Sequence, residues 1–172
     1  MGSHTLAFVQ QLVTFTTPWR SLFSRSAPVE MAVVGVHVLS MFVAGGLALA
    51  HDRGTLRAGG WTPAIRNHHF AELHAVHRTV VIALAICVLS GVALFAADVK
   101  TYVVSVPFWT KMALITMLLA NALVMTSAET GLRLDAGGAA AAAWGRIRAS
   151  SVVSAVLWGA IVLVSIVLSL SK

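Results

Sequence analysis

A chain of 172 residues, 58% hydrophobic and only 10% charged, is too apolar for a water-soluble domain and belongs in a bilayer. Its formal charge of +6 does not point to nucleic acid, because the arginines fall in connections between apolar runs, where they signal membrane topology. A single cysteine, Cys87, excludes a disulfide framework within the chain and reads as a buried structural thiol.

In chain order, residues 1–27 are only moderately apolar. The run "TLAFVQQLVTFTTPWRSLFS" predicts an amphipathic segment along the membrane interface. His4, within the opening "MGSH", is given no role. Pro28 opens the first span, residues 28–51, since proline is tolerated in a first helical turn. After the polar stretch "HDRGTLRAGGWTPAIRNHH", a second span covers 71–97. A short connection, "DVKTYVVSV", leads to a third span over 107–127. The alanine-rich "GGAAAAAWGRIR" reads as either a short helix or a linker, and a fourth span covers 150–170. Each run is close to the roughly 20 residues that cross a hydrocarbon core. Helices satisfy their own backbone polar groups in lipid. The expected fold is therefore all-α: an integral membrane antiparallel four-helix bundle, one domain over 28–172, preceded by the interfacial segment.

Arginine placement predicts orientation. Arg53, Arg57, Arg66, Arg133, Arg146 and Arg148 lie in the first and third connections, with Arg78 just inside the second span. Arg20, Arg25, Lys100 and Lys172 lie on the other side, with Lys111 just inside the third span. This bias puts the first and third connections in the cytoplasm and both termini in the periplasm of a bacterial inner membrane.

Polar residues recur at depth. Glu30, His37, Ala44 and His51 are spaced by seven and share one helical stripe, as do His77, Leu84, Gly91 and Asp98 on the second span. Antiparallel neighbours bring His37 level with Ser90 and Gly91, and Lys111 to the same depth. His51 comes level with His74, His77 and Arg78, near Glu72, His68 and His69. Two polar stations follow, an outer one at His37, Lys111, Ser90 and Gly91, and an inner one at His51, His74 and His77. Ionisable groups within spans usually face the bundle or a cavity, which makes His37 the leading site candidate. It is either a neutral histidine bonded to a serine or carbonyl of the next helix, or a ligand or proton carrier. Lys111 either belongs to that station or snorkels to the headgroups.

A neutral imidazole suits haem iron, copper or zinc, so His37, His51, His74 and His77 are the candidate metal ligands. The inner station offers a histidine pair. The outer one offers His37 alone, so a haem there is five-coordinate or takes a second ligand other than histidine. Gly45, Gly46 and Gly91 make room for a cofactor or serve helix packing. The methionines at 41, 112, 117 and 125 read as packing residues. Glu30, Asp98 and Glu129 are placed at span ends rather than in a proton-relay row. There is no P-loop, GxSxG or CxxC motif.

The stretches "PWRSLFSRSAPVE", "HVLSMFVAGGLAL", "LSGVALFAAD" and "VPFWTKMALITMLLANAL" resemble an uncharacterised four-helix membrane family of bacteria. More distantly, they resemble copper-resistance D-type membrane domains and the small haem-containing bacterial protoporphyrinogen oxidase. The resemblance covers about residues 18–125. It implies that a recurrent first-span histidine and third-span lysine fall on His37 and Lys111. The chain departs from the oxidase after the first span, where "LALAHDRGTLRA" replaces an arginine-rich stretch. Three readings stay open. The first is a b-type haem or similar redox centre that exchanges electrons with quinone or a membrane partner protein, with Lys111 on a propionate. The second is copper or other metal-ion handling, and the third is a non-catalytic accessory subunit. Beyond the lipid bilayer, neither partner nor oligomeric state follows from the sequence.

Overall fold

The computed structural model describes residues 3–58, 63–134 and 140–170, with the side chains of 7–58, 78–132 and 141–170. Six helices follow one another: α1 (Ser3–Arg25), α2 (Ala27–Arg57), α3 (Pro63–Ala97), α4 (Val99–Val104), α5 (Val106–Leu134) and α6 (Ala140–Leu170). No strand occurs among the described residues. Segments of α2, α3, α5 and α6 are long and apolar enough to cross a membrane. Their outward faces carry Leu39, Phe42, Leu89, Leu123, Val156 and Leu163, all exposed. Such a continuous apolar surface is tolerated where the surrounding solvent is lipid. The expected all-α membrane bundle is what the chain forms.

Several helices outrun their expected spans: α3 begins at Pro63 rather than 71 and α5 runs on to Leu134 rather than 127. The first span does not stop at residue 51, because α2 runs through "HDRGTLR" to Arg57. Asp52 and Thr55 are buried there, so this polar sequence forms one more packed turn of helix instead of a loop. From Ala140 the alanine tract is helix, the opening of α6, in keeping with alanine's high helix propensity. The connection after α3 also holds the short helix α4. Asp98 does not continue the stripe of α3. It caps α4, its side chain accepting from the Thr101 N–H at 3.4 Å.

The interfacial segment is the helix α1, joined to α2 through the single extended residue Ser26. It packs on α2, α3 and α4. The Trp19 indole N–H donates to the Ala93 carbonyl at 2.8 Å and pins α1 to the end of α3.

The spanning helices pair as two antiparallel hairpins, α2 with α3 and α5 with α6, and the hairpins meet through α2 and α6. In the middle of the bundle Ala44, Ala83 and Trp158 form a core joined by Met41, Leu84 and Leu118. Nearer the α5–α6 connection, Ala128, Leu132, Trp144 and Ile147 form a second core. Among the described residues the backbones of α3 and α5 nowhere approach within 8 Å. The bundle is therefore open along one side, between α3 and α5.

Candidate functional site

That opening leads into a cavity of about 660 Å³ bounded by all four spanning helices. Its walls are mostly apolar. One end holds His37, Cys87, Gly91 and Lys111, and the other holds His51, Asp52, Glu129 and Ser154. Above the first end Phe95, Tyr102 and Phe108 cluster, with Phe95 stacked on Phe108 at 5.4 Å and Tyr102 tilted against Phe108 at 5.4 Å. Tyr102 is set by α4 and Phe108 by the first turn of α5, so the connection between these spans forms the roof.

His37 is held by α3. Its Nδ1 lies 3.0 Å from the Cys87 carbonyl oxygen and 3.1 Å from Ser90 Oγ. A carbonyl can only accept, so Nδ1 carries the ring proton. Ser90 turns its hydroxyl onto its own helix, 2.7 Å from the Ile86 carbonyl and 3.0 Å from that of Cys87, which leaves its oxygen as an acceptor for His37. In the neutral ring, Nε2 then keeps a free lone pair. It makes no hydrogen bond among the described residues, and His37 lines the cavity. The ring passes close to α3 because residue 91 is glycine, where a Cβ would stand 3.2 Å from His37 Cε1. Cys87 Sγ lies 3.8 Å from His37 Nδ1.

Lys111 lines the same end and is near enough for its charge to act on both His37 and Cys87. It makes no hydrogen bond or ion pair among the described residues. The predicted outer station is thus assembled: His37, Lys111 and Gly91 share a wall, and Ser90 stands behind the imidazole as its support.

His51 lines the other end of the cavity, but the side chains of His74 and His77, like those of His68 and His69, lie outside the described residues. The register separates His37 from His51 by about 21 Å along α2, so the two do not share a site. Of the carboxylates expected at span ends, Glu129 lies near the end of α5, Glu30 in the first turn of α2 and Asp98 just beyond α3. Asp52, read as loop, is only 3% exposed, and Glu129 is 5% exposed on α5. Both line the cavity, whereas Glu30 is exposed and Asp98 serves as a cap. The Asp52 carboxylate faces the hydroxyls of Ser151 and Ser154 on α6. Asn121 ties α5 to α6, donating to the Ser150 carbonyl at 2.9 Å and accepting from the Ser150 hydroxyl at 3.0 Å. Extending the 3–4 spacing of residues 37, 41, 44 and 48 would have reached Asp52 and Thr55. Ser154 reads from the sequence as a hydrogen-bonding residue within or between helices, and spacing alone does not pair it with Asp52.

Among the described residues no three His, Cys, Asp or Glu side chains gather as a metal-holding group. The first end instead offers one imidazole lone pair and one ammonium on an apolar wall. That donor set fits a planar cofactor taking a single protein ligand and carrying an anionic edge. Comparisons with protein-family models, with curated proteins and with solved structures found no match to this chain.

Proposed function

We propose that the chain is a bacterial inner-membrane haem protein, with a b-type haem held by His37 in the cavity between α3 and α5. The observation that carries this reading is the 3.0 Å contact of His37 Nδ1 with the Cys87 carbonyl, which assigns the ring proton to Nδ1. Metal-ligating histidines donate their other ring N–H to a carbonyl or carboxylate, which orients the ring and raises its basicity. His37 makes that bond to Cys87 O and leaves Nε2 for iron. Lys111 supplies the charge for a propionate, which would also relieve an ammonium set in an apolar wall. A cavity of about 660 Å³ falls in the range that encloses cofactor-sized ligands.

Bound there, haem would supply one-electron redox chemistry. Ser90 and the Cys87 carbonyl hold the imidazole, Gly91 admits it, and Phe95, Tyr102 and Phe108 keep water from that end. The open side between α3 and α5 faces lipid, so quinone or a membrane partner protein can reach the cavity edge. The exposed arginines at positions 53, 57, 146 and 148 favour a cytoplasmic α2–α3 and α5–α6 end. The His37 centre then sits toward the periplasmic face.

An optical spectrum tests the reading. Protein purified from cells supplied with a haem precursor is expected to show a Soret band that His37→Ala abolishes at unchanged helix content. A colourless preparation would overturn it, and one holding stoichiometric copper would support metal handling instead.

A further inference from the structure

At the opposite end of the bundle, where α2 meets α6, Asp52 Oδ2, Thr55 Oγ1 and Ser151 Oγ are buried without a partner at hydrogen-bond geometry among the described residues, although the Ser151 and Ser154 hydroxyls stand near enough to act on the Asp52 carboxylate. Their residues are 3%, 2% and 0% exposed, so water from the surface does not satisfy them. Asp52 and Thr55 are one turn apart on α2, and Ser151 and Ser154 are one turn apart on α6. The carboxylate faces both serines across the interface.

Elsewhere in these helices a hydroxyl has a simple solution, which is to donate to a carbonyl one turn back on its own helix. Ser90, Thr116 and Ser165 do this at 2.7, 2.9 and 2.7 Å. Thr55 and Ser151 do not. Neither hydroxyl finds an acceptor on its own helix among the described residues, and the register puts Thr55 one turn beyond Asp52 on α2. Buried polar groups left in this way call for a ligand, because each costs about 1–3 kcal/mol when unmet.

We infer that α2 and α6 enclose a site for one sodium-sized cation, coordinated by the Asp52 carboxylate and the hydroxyls of Thr55, Ser151 and Ser154. Oxygen-only donors suit a hard cation. A single carboxylate among neutral hydroxyls selects a monovalent one, because the assembly is then neutral in a low-dielectric interior, where net charge is costly. Among the described residues the titratable side chain that acts on Asp52 is the adjacent His51, which in its neutral form leaves the carboxylate's charge unmatched. Asp52 and Ser154 also line the inner end of the cavity.

The site is tested independently of haem, on purified protein in lipid nanodiscs with sodium exchanged for N-methylglucamine at constant ionic strength. Sodium is expected to raise Tm saturably by about 4 °C or more. Asp52→Asn is expected to lose that response while keeping its helix content. Radioactive sodium in equilibrium dialysis gives a second readout. Ser151→Ala and Thr55→Val are each expected to weaken binding about tenfold or more, which keeps the test open should Asp52→Asn not fold. A Tm indifferent to sodium, a shift equal in N-methylglucamine, or dialysis affinities unchanged in the variants would overturn the site and leave the gap to water.

Discussion

His37 is a polar residue whose cost in the membrane is met by one backbone acceptor and one side-chain acceptor. The two are not equivalent. Ser90→Ala removes the bond at 3.1 Å but leaves the one to Cys87 O at 3.0 Å, so the ring keeps its tautomer. We expect a stability loss of about 0.5–1.5 kcal/mol in detergent denaturation, with the Soret band retained. Gly91 is the stricter position. A methyl group there would meet His37 Cε1 at 3.2 Å, so Gly91→Ala forces the ring a few tenths of an ångström off α3. A shifted Soret maximum is expected, and Gly91→Val should lose the band. Equal spectra for wild type and both variants would remove His37 from the cofactor's coordination. That His37, Ser90 and Gly91 would meet was legible from register, because antiparallel helices of equal rise pair predictable positions. That Ser90 supports the imidazole rather than lining the cavity depends on its rotamer, which no spacing encodes.

At the scale of the element, adjacent glycines on α2 serve different ends. A Cβ at Gly45 would stand 3.0 Å from the Trp158 ring, whereas one at Gly46 meets nothing within 4 Å. Gly45→Ala is expected to destabilise by about 1–3 kcal/mol through overpacking. Gly46→Ala should be neutral or stabilise by up to about 1 kcal/mol, since alanine is the better helix former. Thermal unfolding of the two variants side by side checks this. The sequence marked both glycines as possible packing points, and a partner helix had to be in place to separate them. The extension of α2 teaches the same lesson. Hydropathy ends the span at His51, but helix formation follows packing, and α6 buries Asp52 and Thr55. Trp19→Phe should cost about 0.5–1.5 kcal/mol by freeing α1 from the Ala93 carbonyl, read as faster proteolysis of α1.

For the whole molecule the decisive feature is asymmetry. Two hairpins whose backbones meet through α2 and α6 leave the backbones of α3 and α5 apart below the Phe95–Phe108 contact, so the cavity opens to lipid along one side. Orientation belongs to this scale as well. With the arginine-rich end in the cytoplasm, Arg146→Cys should react with a membrane-impermeant thiol reagent only after cells are opened. Lys100→Cys, exposed on α4, should react in intact cells. The reverse pattern, measured above the Cys87 background, would invert the assignment.

Composition and run length alone determined the membrane class, the all-α fold and the number of long spans. Burial of a polypeptide in hydrocarbon leaves few options, and its requirements are local: enough apolar residues in a row, with the backbone satisfied within each helix. Span boundaries and the antiparallel order also placed His37 and Lys111 at one depth. Only the tertiary structure decided which helices touch, and with that the open side of the bundle, the burial of Asp52 and Glu129, and the α6 serines that face Asp52. Lipid is as apolar as the helices it surrounds, so helix pairing rests on shape and hydrogen bonds between distant residues. A linear sequence does not display those long-range matches.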